Sequence, residues 1–147
     1  MSMIPFHTVC TEVAMREVRS ARVAPGPDGL DGDEFAFVEF YCDDLACDCW
    51  RVFLEVWSKA RAGEIVASIN FGWESRAFYR QRMPYPSGAA REIVEGSLDL
   101  LNQQSELAPE LLKLFQEVVA NQDYKARLQR HYELFRRTLR KTRGASF

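Results

Sequence analysis

Three cysteines crowded into one short loop, Cys42-x4-Cys47-Asp48-Cys49, constrain this chain more than any other feature. The loop runs Phe40-Tyr41-Cys42-Asp43-Asp44-Leu45-Ala46-Cys47-Asp48-Cys49-Trp50 between two apolar runs. Thiols this close together converge readily on one metal ion, and Zn2+ held by thiolates usually staples a fold. A nucleophilic role suits them less. A reactive thiolate prefers cationic neighbours or a helix N-terminus, whereas Asp43, Asp44 and Asp48 surround these thiols and disfavour further negative charge.

The flanking runs have strand character. Phe35–Tyr41, Arg51–Trp57 and Ile65–Phe71 are rich in aromatic and β-branched residues and are separated by short connections, which favours an antiparallel meander. A first segment, His7 to Val23, alternates at Val9, Thr11, Val13 and Met15 and is expected to be a further strand, although Val9, Val13 and Arg16-Glu17 also suit a short helix. The Pro/Gly/Asp-rich stretch 24–33 reads as a turn. Beyond Gly72 the period becomes helical. Trp73–Met83 predicts a short helix stopped by Pro84 and Pro86, and 87–105 has no clear period. Pro109 suits a first helical position ahead of an apolar face formed by Leu111, Leu112, Phe115, Val118 and Val119. Asp123 is the expected N-cap of a last helix with the stripe Tyr124, Leu128, His131, Tyr132, Phe135 and Leu139. The expectation is one α+β domain over residues 1–147, strands mainly in 1–72 and helices in 73–147. Three or four antiparallel strands would be packed by a C-terminal helical hairpin.

A closed zinc site needs four ligands, and the loop supplies three. If the first two strands pair around the Pro/Gly turn with Arg22 near Phe35, opposed residue numbers sum to about 57. Cys10 then falls opposite Cys47, and His7 comes close to Cys49. The expected site is therefore Cys42, Cys47, Cys49 and Cys10, with His7 as the alternative fourth ligand and Zn2+ as a structural ion.

The stretch from Phe40-Tyr41-Cys42 to Cys47-Asp48-Cys49, with Ile69-Asn70-Phe71-Gly72-Trp73-Glu74-Ser75, resembles small uncharacterised bacterial proteins that carry such a cysteine loop. The Cys47-x-Cys49 step is also similar to the SEC-C zinc motif. That motif continues to a second cysteine or histidine pair that this chain lacks, so the resemblance implies a metal knuckle and no activity.

Composition limits the remaining classes. The 147 residues are 47% apolar and 27% charged with net charge −2, typical of a globular protein and without a global basic field for nucleic acid or anionic lipid. No apolar run reaches the ~20 residues of a membrane span. The first residues lack the basic start and apolar run of a secretory signal, so a cytoplasmic location is expected, where clustered thiols bind metal more often than they pair.

The terminal helix is locally basic, and Arg130, Arg136, Arg137, Arg140 and Lys141 are candidates for phosphate contacts with RNA or DNA. Solvated charge on a helix face explains the same residues, as does an internal partner in the acidic block from Asp28 to Asp48. Aromatics at Trp50, Trp57, Phe71, Trp73, Phe78, Tyr79 and Tyr85 are expected to fill the sheet–helix core. His131, on the apolar stripe, is expected to be a packed, hydrogen-bonded residue. With two histidines and no P-loop, dinucleotide fingerprint or HExxH, no hydrolytic or nucleotide-dependent chemistry is indicated. The functional expectation is a non-enzymatic interaction or adaptor module with a zinc knuckle, and the alternative is a nucleic-acid-binding protein.

Overall fold

The computed structural model describes residues 2–27, 29–30, 32–82 and 88–144. It opens with strand β1 (Met3–Pro5), short helices α1 (Phe6–Val9) and α2 (Thr11–Glu17), and strand β2 (Arg19–Arg22). Three longer strands follow: β3 (Glu34–Cys42), β4 (Arg51–Ser58) and β5 (Glu64–Gly72). After them come α3 (Arg76–Arg82), α4 (Ala89–Glu95), strand β6 (Ser97–Leu98), α5 (Ala108–Val119) and α6 (Gln122–Gly144). The architecture is α+β, and no helix among the described residues is long and apolar enough to cross a membrane.

The sheet has six strands rather than three or four, all paired antiparallel. The extra strands are β1 and β6, each of three residues or fewer, too short to show alternation. Strands β1 and β2 share one edge of β3, β1 against residues 40–42 and β2 against 34–37. Observed pairs such as Arg22↔Glu34 sit one residue from the expected register.

Residues 6–17 are helical, which corrects the expected first strand. Buried Phe6 and Cys10, with half-buried Val9, Val13 and Ala14, recur at helical spacing, while Thr11 and Met15 face solvent. Burying that stripe outweighs the period-2 pattern of Val9, Thr11, Val13 and Met15. The Thr8 and Thr11 hydroxyls also bond back to the carbonyls of Pro5 (2.8 Å) and His7 (2.7 Å), as hydroxyls do in helical turns.

One face of the sheet carries the core. Phe35, Phe37 and Tyr41 of β3, Leu54 and Val56 of β4, and Ile69 and Phe71 of β5 meet Leu111 and Phe115 of α5 and Leu128, Tyr132 and Phe135 of α6. Phe115 lies edge-on to Phe37 and Phe71, with ring centroids 5.8 and 5.4 Å away. Pro109 occupies the first turn of α5, as expected. The cap of α6 is Asn121 rather than Asp123: its Oδ1 accepts from the amides of Asp123 (2.8 Å) and Tyr124 (3.3 Å). The unreadable stretch holds α4 and β6, both too short to give a period. Pro84, Tyr85 and Pro86 lie outside the described residues.

Asp33 ties the start of β3 to the β4–β5 turn. Its carboxylate accepts from the Ser58 hydroxyl and from the amides of Ala60 (2.8 Å) and Glu34 (2.7 Å). Burial alone would raise this carboxyl, but those bonds, with Arg61 nearby, hold it below the ordinary aspartate value. A depressed carboxyl stabilises the fold above its unfolded value of about 3.9, and the contribution disappears as pH falls through the lower folded value. Asp33→Ala should therefore cost about 1–3 kcal/mol in urea unfolding at pH 7. The gap between variant and wild type should narrow as the measurements move from pH 5 to pH 2.

Candidate metal centre

Cys42, Cys47 and Cys49 come together at the end of β3 because the loop after it is folded by its own polar groups. Cys42 is the last residue of β3 and pairs with Met3; beyond it the Asp43 amide donates to the Ser2 carbonyl and the Asp43 Oδ1 accepts from the Ser2 amide, 2.9 Å each. Asp44 then makes a turn: its Oδ1 accepts from the amide of Ala46 (2.9 Å) and its carbonyl from that of Cys47 (3.0 Å). The chain thus reverses across four residues and returns Cys47 to Cys42, with Cys49 two residues further on. All three Sγ atoms lie within 4.8 Å of one another.

The exit from the loop is held as firmly. Trp50 has φ +52°, a left-handed conformation that costs a bulky residue about 1–3 kcal/mol and persists only under external constraint. The constraint comes from three tyrosine and carboxylate contacts. The Tyr79 hydroxyl donates to the Trp50 carbonyl (2.6 Å), the Trp50 amide reaches the Tyr132 hydroxyl (3.4 Å), and the indole N–H is bonded to Asp48 Oδ1. Gly72 makes room for this brace, since a Cβ there would overlap the Tyr79 hydroxyl and come within 2.6 Å of Ile93. From α6, Arg136 donates to the Leu45 carbonyl (2.8 Å), and from α3, Arg82 lies 3.4 Å from Asp48.

Cys42 is buried, whereas Cys47 and Cys49 are half-buried beside a cleft of about 450 Å³ whose walls include Phe40, Phe53 and Asn70. Burial first, and then the adjacent Cys49 and Cys42 thiols, push the Cys47 thiol up to about 12. Three thiolates cannot share this space without a cation among them. The same crowding suits a metal, which displaces the protons as it binds. A Zn–S distance of about 2.3 Å sets tetrahedral sulfurs about 3.8 Å apart, so the observed spacing needs only small rotations of the side chains.

The two expected fourth ligands are elsewhere. With residues 6–17 helical, no ladder sets Cys10 opposite Cys47. Cys10 is buried in the main core, its thiol 3.7 Å from the Thr138 hydroxyl of α6, and burial raises it. His7 is exposed, its ring edge-on to Trp57 at 6.4 Å between centroids. Neither belongs to the set of mutually close ligand atoms among the described residues.

The five basic candidates of α6 divide in two. Arg130 pairs with Glu17 (2.8 Å), and Arg136 holds Leu45 with its guanidinium 5.3 Å from the Tyr132 ring centroid. Arg137, Arg140 and Lys141 are exposed.

A second polar cluster was not anticipated as a unit. His131 is fully buried, as its place on the stripe implies, with Nδ1 2.8 Å from Glu39 Oε1 and Nε2 2.9 Å from Glu17 Oε1. Tyr41 donates to the same oxygen of Glu39 (2.6 Å), and Phe6 stacks on the imidazole at 4.4 Å. The available signal was the alternation of β3: Phe35, Phe37, Glu39 and Tyr41 share one face, so Glu39 had to point into the core.

No protein-family model, curated protein or solved structure matches this chain.

Gly72→Ala should drive Tyr79 from the Trp50 carbonyl and cost about 1–3 kcal/mol in chemical unfolding, as overpacking against a braced side chain does. Tyr79→Phe keeps the ring and removes only the hydroxyl, and should cost nearer 1 kcal/mol.

Proposed function

We propose that this protein is a non-enzymatic interaction module whose cysteine loop is fixed by one Zn2+ on Cys42, Cys47 and Cys49. The observation that carries the proposal is the mutual approach of the three Sγ atoms to within 4.8 Å. Soft thiolates in a three-sulfur set suit Zn2+ or Cu(I) rather than Mg2+ or Ca2+, and zinc is the usual ion of a structural thiolate site. The fourth position is completed from outside the trio, by water or by a donor atom of a bound partner entering through the adjoining cleft. The metal's role is to hold residues 42–50 in a single conformation, so that the loop and the rim of the cleft form a rigid surface for a protein partner. The Asp carboxylates of the loop already have partners: Asp43 bonds Ser2, Asp44 its own turn, and Asp48 Trp50 and Arg82.

Elemental mass spectrometry on tag-free protein purified without added metal should find about one zinc per chain, with three thiols masked until a chelator is added. Alanine at Cys42, Cys47 or Cys49 should bring the zinc content close to zero, while Cys10→Ala and His7→Ala should leave it unchanged. Metal-free wild-type protein in which the half-buried Cys47 and Cys49 titrate without a chelator would refute the proposal.

The exposed Arg137, Arg140 and Lys141 support a second reading, contact with nucleic-acid phosphates. Reversing these three charges to Glu should abolish any salt-dependent shift in a fluorescence-anisotropy titration with single- or double-stranded oligonucleotides. If wild-type protein shows no such shift at low salt, the basic end of α6 is solvated charge, placed favourably at a helix C-terminus.

A further inference from the structure

The edge of β3 is shared by β1 and β2, and between them residues 38 and 39 have no strand partner on that side among the described residues. Helices α1 and α2 arch over this gap and leave a half-open cleft of about 340 Å³. Its walls are almost wholly apolar, formed by Phe6, Ala14, Met15 and Val18 on one side and Val38 and Trp57 on the other. Met15 stands 77% exposed at the mouth. Glu39 and His131 line the inner part.

The chemistry at that inner end is specific. The Glu39 side chain is only 4% exposed, and both hydrogen bonds to it, from Tyr41 and His131, fall on Oε1. Among the described residues its second oxygen, Oε2, has no hydrogen-bond partner, and it is not fully enclosed. Among the described residues no lysine or arginine pairs with Glu39, because Arg130 reaches only the outer carboxylate, Glu17, where Arg127 also donates to the backbone carbonyl. Both contacts to the imidazole are hydrogen bonds only when Glu17, His131 and Glu39 together hold at least two protons. With two, whether they sit on the two nitrogens or on one nitrogen and one carboxyl, the trio carries one negative charge. An apolar wall with a buried, partly unsatisfied anionic acceptor at its end is the recognition chemistry of a small-molecule site.

We infer that this cleft is a binding site for a small apolar amine, whose ammonium group donates to Oε2 of Glu39 while its hydrocarbon body lies against Phe6, Met15, Val38 and Trp57. The size of the cleft fits a single aromatic or short aliphatic body, in the lower range of small-ligand pockets. The site shares no lining residue with the cysteine cleft, so it stands or falls independently of the metal.

The test is a titration of the full chain, followed through backbone amide chemical shifts, with three probes of one shape: 2-phenylethylamine, 2-phenylethanol and 3-phenylpropionate. The amine should give saturable shifts at Ala14, Val18 and Val38 and bind at least about tenfold more tightly than the carboxylate, since it gains a charge-assisted bond where the carboxylate meets like charge. Glu39→Gln should erase most of that preference. Ala14→Trp fills the cleft from α2 while leaving the three side chains of the trio unsubstituted, and should abolish binding of the amine, which keeps the test decisive should Glu39→Gln not fold. No saturable shift with the amine, equal binding of amine and carboxylate, or amine binding that survives Ala14→Trp would each overturn the assignment.

Discussion

Strand β3 is the element on which everything else depends, because its two faces and its end have separate duties. Its odd-numbered residues from Phe35 to Tyr41 pack against the helices, its even-numbered residues face the other side, and its last residue is Cys42. The contact that fixes it against α6 is polar as well as apolar. Tyr41 touches Tyr132 and Phe135 with its ring and bonds Glu39 and lies 3.1 Å from the Leu128 carbonyl with its hydroxyl. Glu39 in turn holds His131. A polar network in a core tolerates few alternatives, since shifting α6 by one residue would leave a buried carboxylate and imidazole unpaired. The apolar stripe makes α6 adhere to the sheet, and the Tyr41–Glu39–His131 chain determines its register.

The parts of the fold that could be read in the amino-acid sequence are those with many repeats of one period. Phe35–Tyr41, Arg51–Trp57 and Ile65–Phe71 alternate long enough to be recognised as strands, and the Tyr124–Leu139 stripe covers more than four turns of helix. The elements that escaped are short: β1, β6 and α4 offer two to seven residues each, too few to separate period 2 from period 3.6. Residues 7–15 fit both periods, and the decision was made by Phe6 and Cys10, whose burial against α6 cannot be seen locally. The same ambiguity separates the two halves of the candidate site. The cysteine trio was visible because its members are neighbours in sequence. The expected fourth ligand rested on a ladder that the helices α1 and α2 replace. Glu17, Glu39 and His131 are up to 114 residues apart, and only the face of β3 on which Glu39 falls hinted at their meeting.

Charge is arranged along the same lines. The acidic N-terminal half and the basic last helix meet in part, as the internal pairing weighed for them would have it. Arg130 and His131 meet Glu17, His131 also meets Glu39, Arg143 approaches Asp43 at 4.0 Å, and Arg136 holds a carbonyl of the aspartate-rich loop. The exposed pairs among these contribute little individually. Their effect is positional: they hold an aspartate-rich loop against the helix that packs on the sheet. Among the described residues, Arg137, Arg140 and Lys141 are left unmatched at the end of α6, a smaller group than the stripe that the sequence displays.

The two candidate sites therefore differ in what maintains them. The cysteine loop has almost no core of its own. It is held by a turn of aspartates, an arginine from each of two helices and a strained tryptophan braced by Tyr79, so that a metal ion would supply the cohesion that burial supplies elsewhere. The Glu39 cleft is the reverse case, a cavity in well-packed structure whose floor is rigid because the trio is satisfied on every atom except one. Loss of metal would loosen residues 43–50 and leave the bonds of Glu17, Glu39 and His131 in place, since none of them runs through the loop. A ligand on Oε2 would act on α1 and α2, the elements that close the gap between β1 and β2. On this proposal the chain combines a loop whose cohesion a metal ion would complete with a pocket whose polar floor is held by hydrogen bonds alone.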